Sequence, residues 1–283
     1  MKLEFFGSSA AALGMLALAT PALAQDANTE GRFDGPYISV FGGSNNAADS
    51  DDDGFEFDVD GDGAFDDNVT TVAGANAFSP GFCSGNPGTS PTPVCTGNDS
   101  KIGYGARIGY DVRMGDGPFV AGVLIEGERP RVREFTSGYS TTPASYTIAR
   151  ELDWSAAARA RVGISPGDGR GLFYATGGVG YAKIERDFFT TNGANSFTPN
   201  DPDEWTFGWQ AGGGAELLLT DNIGIGLEYL YSNYDDGDYV VTVGPGTAGP
   251  TNPFLLGSGT TDLRLNDGDF DSHSLRASVN LRF

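Results

Sequence analysis

The sequence predicts an all-β protein, an eight-stranded antiparallel up-and-down β-barrel that crosses a membrane, and three observations lead to this prediction. The first residues have the pattern of an export signal. Several segments alternate apolar residues with charged residues or glycine, so their side chains fall on two different faces of a strand. The connections between these segments are alternately long and short, as in a barrel with short turns at one end and long loops at the other.

The N-terminal residues are the first element of the prediction. Lys2 precedes an apolar run over residues 10–19, and Ala22-Leu23-Ala24 supplies a small-x-small cleavage site. These features predict a secretory signal at residues 1–24, which leaves residues 25–283 as a single barrel domain. No later segment approaches the ~20 apolar residues that a membrane helix needs, so a chain inside the membrane must close its sheet.

Composition and charge narrow the class of protein further. Glycine accounts for 43 of 283 residues, about twice its average share, which argues against a helical protein. The net charge of −21 argues against nucleic acid as a partner. Most of this charge lies in residues 44–100, with ten Asp, one Glu and no Lys or Arg, and in residues 233–271, with seven Asp and only Arg264. Acidic runs of this kind are most often solvated loops.

Eight strands are predicted, separated by three short turns and four long connections. The turns at 114–117, 165–170 and 220–222 contain the Gly, Pro, Asn and Asp residues that tight turns require. An even strand number with this asymmetry predicts short periplasmic turns and long extracellular loops. The predicted strands are 33–43, 101–113, 118–130, 150–164, 171–185, 204–219, 222–235 and 270–283, and the long connections are 44–100, 131–149, 186–203 and 236–269.

The last predicted strand shows the two faces most clearly. Its apolar face contains Leu275, Ala277, Val279, Leu281 and Phe283, and these alternate with Ser274, Arg276, Ser278, Asn280 and Arg282. Four other strands repeat the pattern, and the strand at 150–164 sets Leu152 and Trp154 against Glu151 and Asp153. We expect the apolar faces, rich in aromatic residues near the strand ends, to contact lipid. The alternative is a secreted β-sandwich that buries the same apolar faces; the strands at 33–43 and 171–185 receive no face assignment.

The charged faces predict an ionic network inside the barrel. An eight-stranded barrel is just wide enough for side chains to fill it, and charges buried there must pair. This favours a salt-bridged plug over a conducting channel, since six bases and seven acids nearly cancel. The predicted interior residues are Lys101, Arg107, Asp111, Glu126, Glu128, Glu151, Asp153, Arg159, Arg161, Glu216, Glu228, Arg276 and Arg282.

An acidic repeat in the first long connection predicts a calcium site, and calcium is the cofactor that the sequence suggests. Asp49, Asp51 and Asp53 precede Gly54, and Asp58, Asp60 and Asp62 precede Gly63, with Asp66 closing the second unit. Oxygen ligands at alternate positions before a glycine are typical of calcium loops, although Val69 stands where the usual bidentate Glu would be. The alternative is a solvated acidic loop, which without an ion is expected to repel itself and stay open.

The remaining reactive side chains predict a disulfide and no catalysis. An exported chain with only Cys83 and Cys95 is expected to join them and close a short surface loop. His273 lies between Ser272 and Ser274, and adjacent strand residues point to opposite faces, so these side chains do not form a nucleophile and base pair. Phosphate-binding loops and Cys-x-x-Cys motifs are absent from the sequence.

Three segments resemble the small porin-like outer-membrane β-barrel family of alphaproteobacteria. They are LDWSAAARARVGI at 152–164, LFYATGGVGYAKI at 172–184 and FGWQAGGGAELLLTDNIGIGLEYLYSNY at 207–234, together with the terminal Arg282-Phe283. The resemblance covers most of 101–283, and the acidic segment 44–100 departs from it. It implies a protein of the Gram-negative outer membrane, surrounded by lipid.

The function expected from these observations is structural. The protein would contribute to envelope integrity and surface properties as a monomer, with the strand that ends in Phe283 engaging the barrel assembly machinery. Porin-like passage of small solutes and calcium-dependent surface adhesion are the two alternatives.

Overall fold

The computed structural model describes residues 32–48, 53–88, 94–98, 100–200, 203–237 and 239–283. The predicted export signal and two predicted calcium ligands, Asp49 and Asp51, lie outside these residues. Within the described part of the chain, no helix is long and apolar enough to cross a membrane. The described elements are β1 (Gly35–Ala47), β2 (Phe55–Asp58), β3 (Gly81–Ser84), β4 (Asn86–Pro87), β5 (Cys95–Thr96), β6 (Lys101–Arg113), β7 (Phe119–Arg129), β8 (Val132–Ser140), β9 (Ala144–Ile164), β10 (Gly171–Thr190), β11 (Ser196–Pro199), β12 (Asp203–Leu218), β13 (Ile223–Asp235), β14 (Val241–Gly244), a 3-10 helix (Pro253–Leu255), β15 (Thr261–Leu265) and β16 (Asp269–Arg282).

Eight of these strands form a closed antiparallel barrel. Their order around the barrel is β1, β6, β7, β9, β10, β12, β13 and β16, and β16 pairs again with β1. Closure pairs Tyr37 with Arg282 and Ala47 with Ser272 along the seam between the first and last barrel strands. The predicted fold class is confirmed, and each of the eight predicted strands coincides with one barrel strand.

Glycines on neighbouring strands make room for aromatic side chains inside this narrow barrel. Tyr37 on β1 lies directly opposite Gly109 on β6, and a Cβ placed on Gly109 would come within 2.5 Å of the tyrosine ring. A Cβ on Gly180 would likewise come within 2.8 Å of the Tyr234 hydroxyl. The high glycine content therefore reflects the space that interior rings need. Larger residues at these glycine positions would place their own side chains in that space.

A β-bulge in β9 reverses the faces of the residues that precede it. Lys183 on β10 pairs with Trp154, but the next residue, Ile184, pairs with Leu152, so Asp153 is the extra residue. One inserted residue turns the following side chains to the other face of the sheet. Leu152, predicted to face lipid, is only 2% exposed and points inward.

The same bulge corrects two predicted interior residues. Glu151 lies outside the barrel interior, where it pairs with Arg133 at 3.1 Å. Asp153 also lies outside, and its Oδ1 accepts hydrogen bonds from Arg129 at 2.8 and 2.9 Å. Both predictions were wrong because the polar and apolar residues of the sequence alternate without interruption through the position of the bulge.

The four long connections fold together into a second structure above the barrel, here called the cap. One side is the outward extension of the barrel sheet, formed by β8, β3 and the outer parts of β9 and β10, and the other is a separate sheet with the order β11, β14, β15, β2. The cap has its own apolar core between these sheets. Its buried members are Phe55, Phe57, Val69, Ala77, Phe78, Tyr146, Ile148, Tyr239, Val241, Val243, Phe254 and Leu263.

The cap corrects the expectation of an open acidic loop. Phe55 and Phe57 alternate with Glu56 and Asp58 in β2, and both phenylalanines pack into the cap core. The described part of 44–100 is therefore folded, and burial of these rings opposes the repulsion between its acids.

Candidate functional site

The barrel interior contains two ionic clusters, and the lower one is nearest the short turns. Arg161 donates to both carboxylate oxygens of Asp111 at 2.8 and 2.5 Å and to Glu216 at 2.8 Å. Arg282 donates to the same two acids at 2.7 and 2.6 Å. Each arginine thus bridges both carboxylates in a ring of four residues. Charge-assisted, partly bidentate pairs of this kind are the strongest hydrogen bonds available to protein side chains.

The upper cluster is centred on Glu228. Arg107 donates to both of its oxygens at 3.0 and 2.9 Å, and Arg159 donates to Oε1 at 3.0 Å. The Tyr174 hydroxyl donates a fourth hydrogen bond at 2.9 Å. Glu228 is 3% exposed, so removal of its charge would leave Arg107 and Arg159, both buried, to share the carboxylate of Glu126.

Arg276 extends the upper cluster toward the cap. It donates to Glu126 at 2.9 Å and to Glu128 at 2.7 Å. Arg159 also donates to Glu126 at 2.7 Å, and the Ser155 hydroxyl donates to Glu128 at 3.0 Å. Each cluster holds as many arginines as carboxylates, so neither has a net charge.

The structure brings together ten of the thirteen predicted interior residues. Glu151 and Asp153 lie outside, as described above, and Lys101 is exposed at the end of β6 nearest the cap. The interior rings of Tyr37, Phe41 and Tyr174 were not predicted, because the strands at 33–43 and 171–185 received no face assignment. The ten residues are Arg107, Asp111, Glu126, Glu128, Arg159, Arg161, Glu216, Glu228, Arg276 and Arg282.

Aromatic rings from β1 and β10 lie over the interior guanidinium groups. The Arg161 guanidinium is 4.5 Å from the centre of the Tyr37 ring and 5.0 Å from that of Tyr174. On β1, Phe41 contacts Arg107 in the same way at 4.7 Å. Stacking of this kind fills the space between arginines and adds a cation–π attraction in a desolvated site. Period-two spacing of Tyr37 and Phe41 with Ser39 was the signal for this inward face.

Apolar layers close both ends of the ionic interior. Beside the short turns, the buried residues Phe33, Val120, Leu172, Tyr174 and Leu218 form one cluster. Below the cap, a second cluster contains Val132, Leu152, Ala182, Ile184, Tyr234 and Phe270. Side chains therefore occupy the described interior from the turns to the cap.

A third ionic cluster lies between the upper apolar layer and the cap core. Arg150 donates to Glu134 at 2.6 and 3.0 Å, and Arg186 donates to Asp236 at 2.5 and 2.8 Å. Burial raises the pKa of Glu134 to about 7, although the Arg150 guanidinium acts in the opposite direction. Burial also raises the pKa of Asp236. The bulge in β9 turns Arg150 into this cluster, which is why the sequence pattern did not predict it.

The outer surface of the barrel is apolar where the interior is charged. Trp209 is 48% exposed, and Leu275 and Val279 are each 53% exposed, whereas Arg159 is 2% exposed. Aromatic residues gather at the cap end of this surface, where Tyr181 stacks on Trp205 and Tyr231 contacts Trp209. This arrangement is an apolar belt with an aromatic girdle, as lipid-facing barrel surfaces have.

The predicted calcium ligands are only partly brought together. Among the described residues, one oxygen from each of Asp58, Asp60 and Asp67 lies within 4.8 Å of the others. Asp67, which the repeat did not single out, takes the place expected for Asp66. Asp62 instead accepts from the Ala64 amide at 2.8 Å, and Asp53, in the first unit, is buried.

The predicted disulfide is present, and His273 takes no part in a catalytic arrangement with its neighbours. Cys83 and Cys95 are joined and link β3 to β5. The His273 ring lies beside the lipid-facing tyrosines, with Nδ1 2.7 Å from the Tyr229 hydroxyl. Ser272 and Ser274 are buried on the opposite face.

A closed barrel with an apolar belt outside and neutralised charges inside defines an integral membrane protein of the β-barrel class. The sequence profile of the outer membrane protein beta-barrel domain matches residues 97–283. The chain belongs to this family, and the protein lies in the outer membrane of a Gram-negative cell.

The chain is similar to two named outer membrane proteins and to one solved structure. The chain is 27% identical over 183 residues to the 22 kDa outer membrane protein of Rhizobium leguminosarum bv. viciae, covering 63% of this chain and 76% of that protein. It is 31% identical over 132 residues to the 31 kDa outer-membrane immunogenic protein of Brucella melitensis, covering 46% of this chain and 52% of that protein. A crystal structure of OprG from Pseudomonas aeruginosa is similar at a TM-score of 0.49 with 13% identity, covering 90% of this chain and 100% of that one.

Proposed function

We propose that the protein is a non-catalytic structural barrel that supports the envelope and presents the cap at the cell surface. The observation that carries this proposal is the pairing of five interior arginines with five carboxylates between two apolar layers. A filled and electrically neutral interior offers ions no continuous aqueous path.

Planar lipid bilayers test the closed barrel against the porin alternative. We expect no steady single-channel steps from protein whose folding has been verified by heat-modifiable migration on a denaturing gel. Heat-denatured protein from the same preparation is the control for leakage. Reproducible unitary steps from the folded form alone would favour porin-like passage and remove the closed-barrel proposal.

Calcium-dependent adhesion is the second alternative, and it depends on the three converging carboxylates of Asp58, Asp60 and Asp67. It stays a prediction. Calorimetric titration of the whole protein with calcium checks it, and no heat at millimolar ion would remove it.

We also propose that the protein is monomeric and that the strand carrying Phe283 engages the barrel assembly machinery. The Phe283 side chain is 47% exposed, and its amide donates to the Pro36 carbonyl at the barrel seam at 3.1 Å. Phe283→Ala is expected to lower the amount of folded barrel in cells several-fold while leaving refolding of purified protein nearly unchanged. Phe173→Ala, at a lipid-facing ring that is 57% exposed, is the matched control. Equal losses in both variants would contradict the recognition role.

A further inference from the structure

A cavity opens in the cap where all four long connections meet. Its volume is about 270 Å³, below the range of about 300–1,000 Å³ typical of sites for drug-sized ligands. Phe78, Thr142, Asn192 and Phe254 each bring a different connection to its wall. Loops that converge from a rigid scaffold are the usual place for a binding site.

Three aromatic residues form the base of the cavity. Phe78, Tyr146 and Phe254 contact one another in a triangle, with ring centres 5.2, 5.7 and 5.9 Å apart. Each is at most 3% exposed, so the base belongs to the cap core and is fixed by it. The cavity therefore needs little ordering before a ligand binds, which lowers the cost of binding.

The rim consists of hydroxyl and amide side chains held in one arrangement. Asn192 donates to the Tyr146 hydroxyl at 3.0 Å and to Asn195 at 3.0 Å. Asn252 donates to the same Asn195 oxygen at 2.9 Å, and Asn195 donates to the Gly244 carbonyl at 3.0 Å. Asn195 is buried behind the wall. Besides Tyr146, Asn192 and Asn252, the polar side chains that line the cavity belong to Ser140, Thr141, Thr142 and Thr191.

The cavity is electrically neutral in a strongly acidic protein. Among the residues that the structure describes, no Asp, Glu, Lys, Arg or His lines it, and burial raises the pKa of the Tyr146 hydroxyl, so this group also stays uncharged. The net charge of −21 repels anions, and a cation would find no carboxylate in the cavity wall.

From this chemistry we infer that the cavity binds one neutral sugar residue of a surface glycan. The serine and threonine hydroxyls that line the cavity both donate and accept hydrogen bonds, as each sugar hydroxyl does. The accessible apolar part of the wall, to which Pro143, Ala194 and Pro253 contribute above the buried rings, suits the apolar face of a sugar ring. The inference is independent of whether the barrel conducts, because the site lies wholly in the cap.

The test measures sugar binding to the full-length protein in phosphatidylcholine nanodiscs. Alkyl-glycoside detergents are avoided, since they would themselves supply the ligand. Saturation-transfer difference NMR is recorded with glucose, galactose, mannose and N-acetylglucosamine, and separately with neutral and charged N-acetyl amino-acid amides. At least one neutral sugar is expected to give a saturable signal with a Kd of about 1 mM, the strength suited to a single small ligand.

Two matched variants locate the site. Ala194→Phe places a ring at the cavity wall and is expected to weaken sugar binding at least tenfold. Ala64→Phe makes the same change at an exposed cap position that does not line the cavity, and it is expected to retain binding. Heat-modifiable migration verifies that both variants fold. The inference is overturned if no sugar gives a signal, if only the amino-acid amides do, or if Ala194→Phe and Ala64→Phe bind sugar equally well.

Discussion

Replacement of Glu228 by glutamine is expected to destabilise the barrel by about 3–5 kcal/mol, the cost of breaking a buried ionic network by removing one partner. Glutamine keeps the shape of the side chain but leaves the three arginines of the upper cluster with two carboxylates, Glu126 and Glu128. Their charges are too deep in the interior for water to solvate them. Urea titration in lipid vesicles, followed by the shift between folded and unfolded bands on a gel, measures the loss.

Glu151→Gln is the matched control for this prediction. Glu151 pairs with Arg133 at 3.1 Å, but the two side chains are 28% and 37% exposed, and such pairs contribute about 0–1 kcal/mol. The same chemical change is therefore expected to have little effect there. If Glu228→Gln were no more destabilising than Glu151→Gln, the ionic interior would not be a stabilising plug.

Phe78→Ala is expected to open the cap while the barrel remains folded. Phe78 contacts Phe57, Tyr146 and Phe254 in the cap core, and loss of a buried phenylalanine ring costs about 3–5 kcal/mol. The cap and barrel have separate apolar clusters, so the loss of stability is expected to be confined to the cap. Limited chymotrypsin digestion should cleave the variant rapidly in the cap and leave a heat-modifiable barrel fragment.

Phe189→Ala removes the same ring at a cap position that is 51% exposed. Its digestion is expected to match that of the unaltered protein, since the exposed ring contributes little burial. If both variants were digested alike, or if Phe78→Ala also abolished heat-modifiable migration, the cap would not be a separately stabilised part of the protein.

The sequence pattern predicted the barrel because the residues of each strand alternate between a side that faces lipid and a side that faces the barrel interior. Arg159 and Arg161 alternate with alanines that face lipid, and no knowledge of the partner strand is needed to see this. The bulge at Asp153 was not predicted, because an extra residue is recognised only from the register between β9 and β10. That register depends on both strands and not on the sequence of one. Every misplaced residue before Trp154 follows from that one insertion.

The cap was missed for a different physical reason. Its strands are short, and the acids around Phe55 and Phe57 dominate the composition of the segment. Burial of these rings requires Phe254 and Leu263, which lie about two hundred positions away in the sequence. A local sequence pattern cannot predict the cap core, because this core forms only when four connections that are distant in the sequence meet.

The seam between β1 and β16 has a consequence for the order of folding. Tyr37 pairs with Arg282, which lies at the other end of the sequence. Contacts between residues so far apart in sequence form slowly, because closing the long loop between them costs conformational entropy before the contact forms. Until β16 arrives, β1 and β13 each expose an unpaired backbone edge, and such edges invite aggregation. A cell that makes this protein must therefore keep the exported chain from aggregating until β16 has paired with β1 and β13.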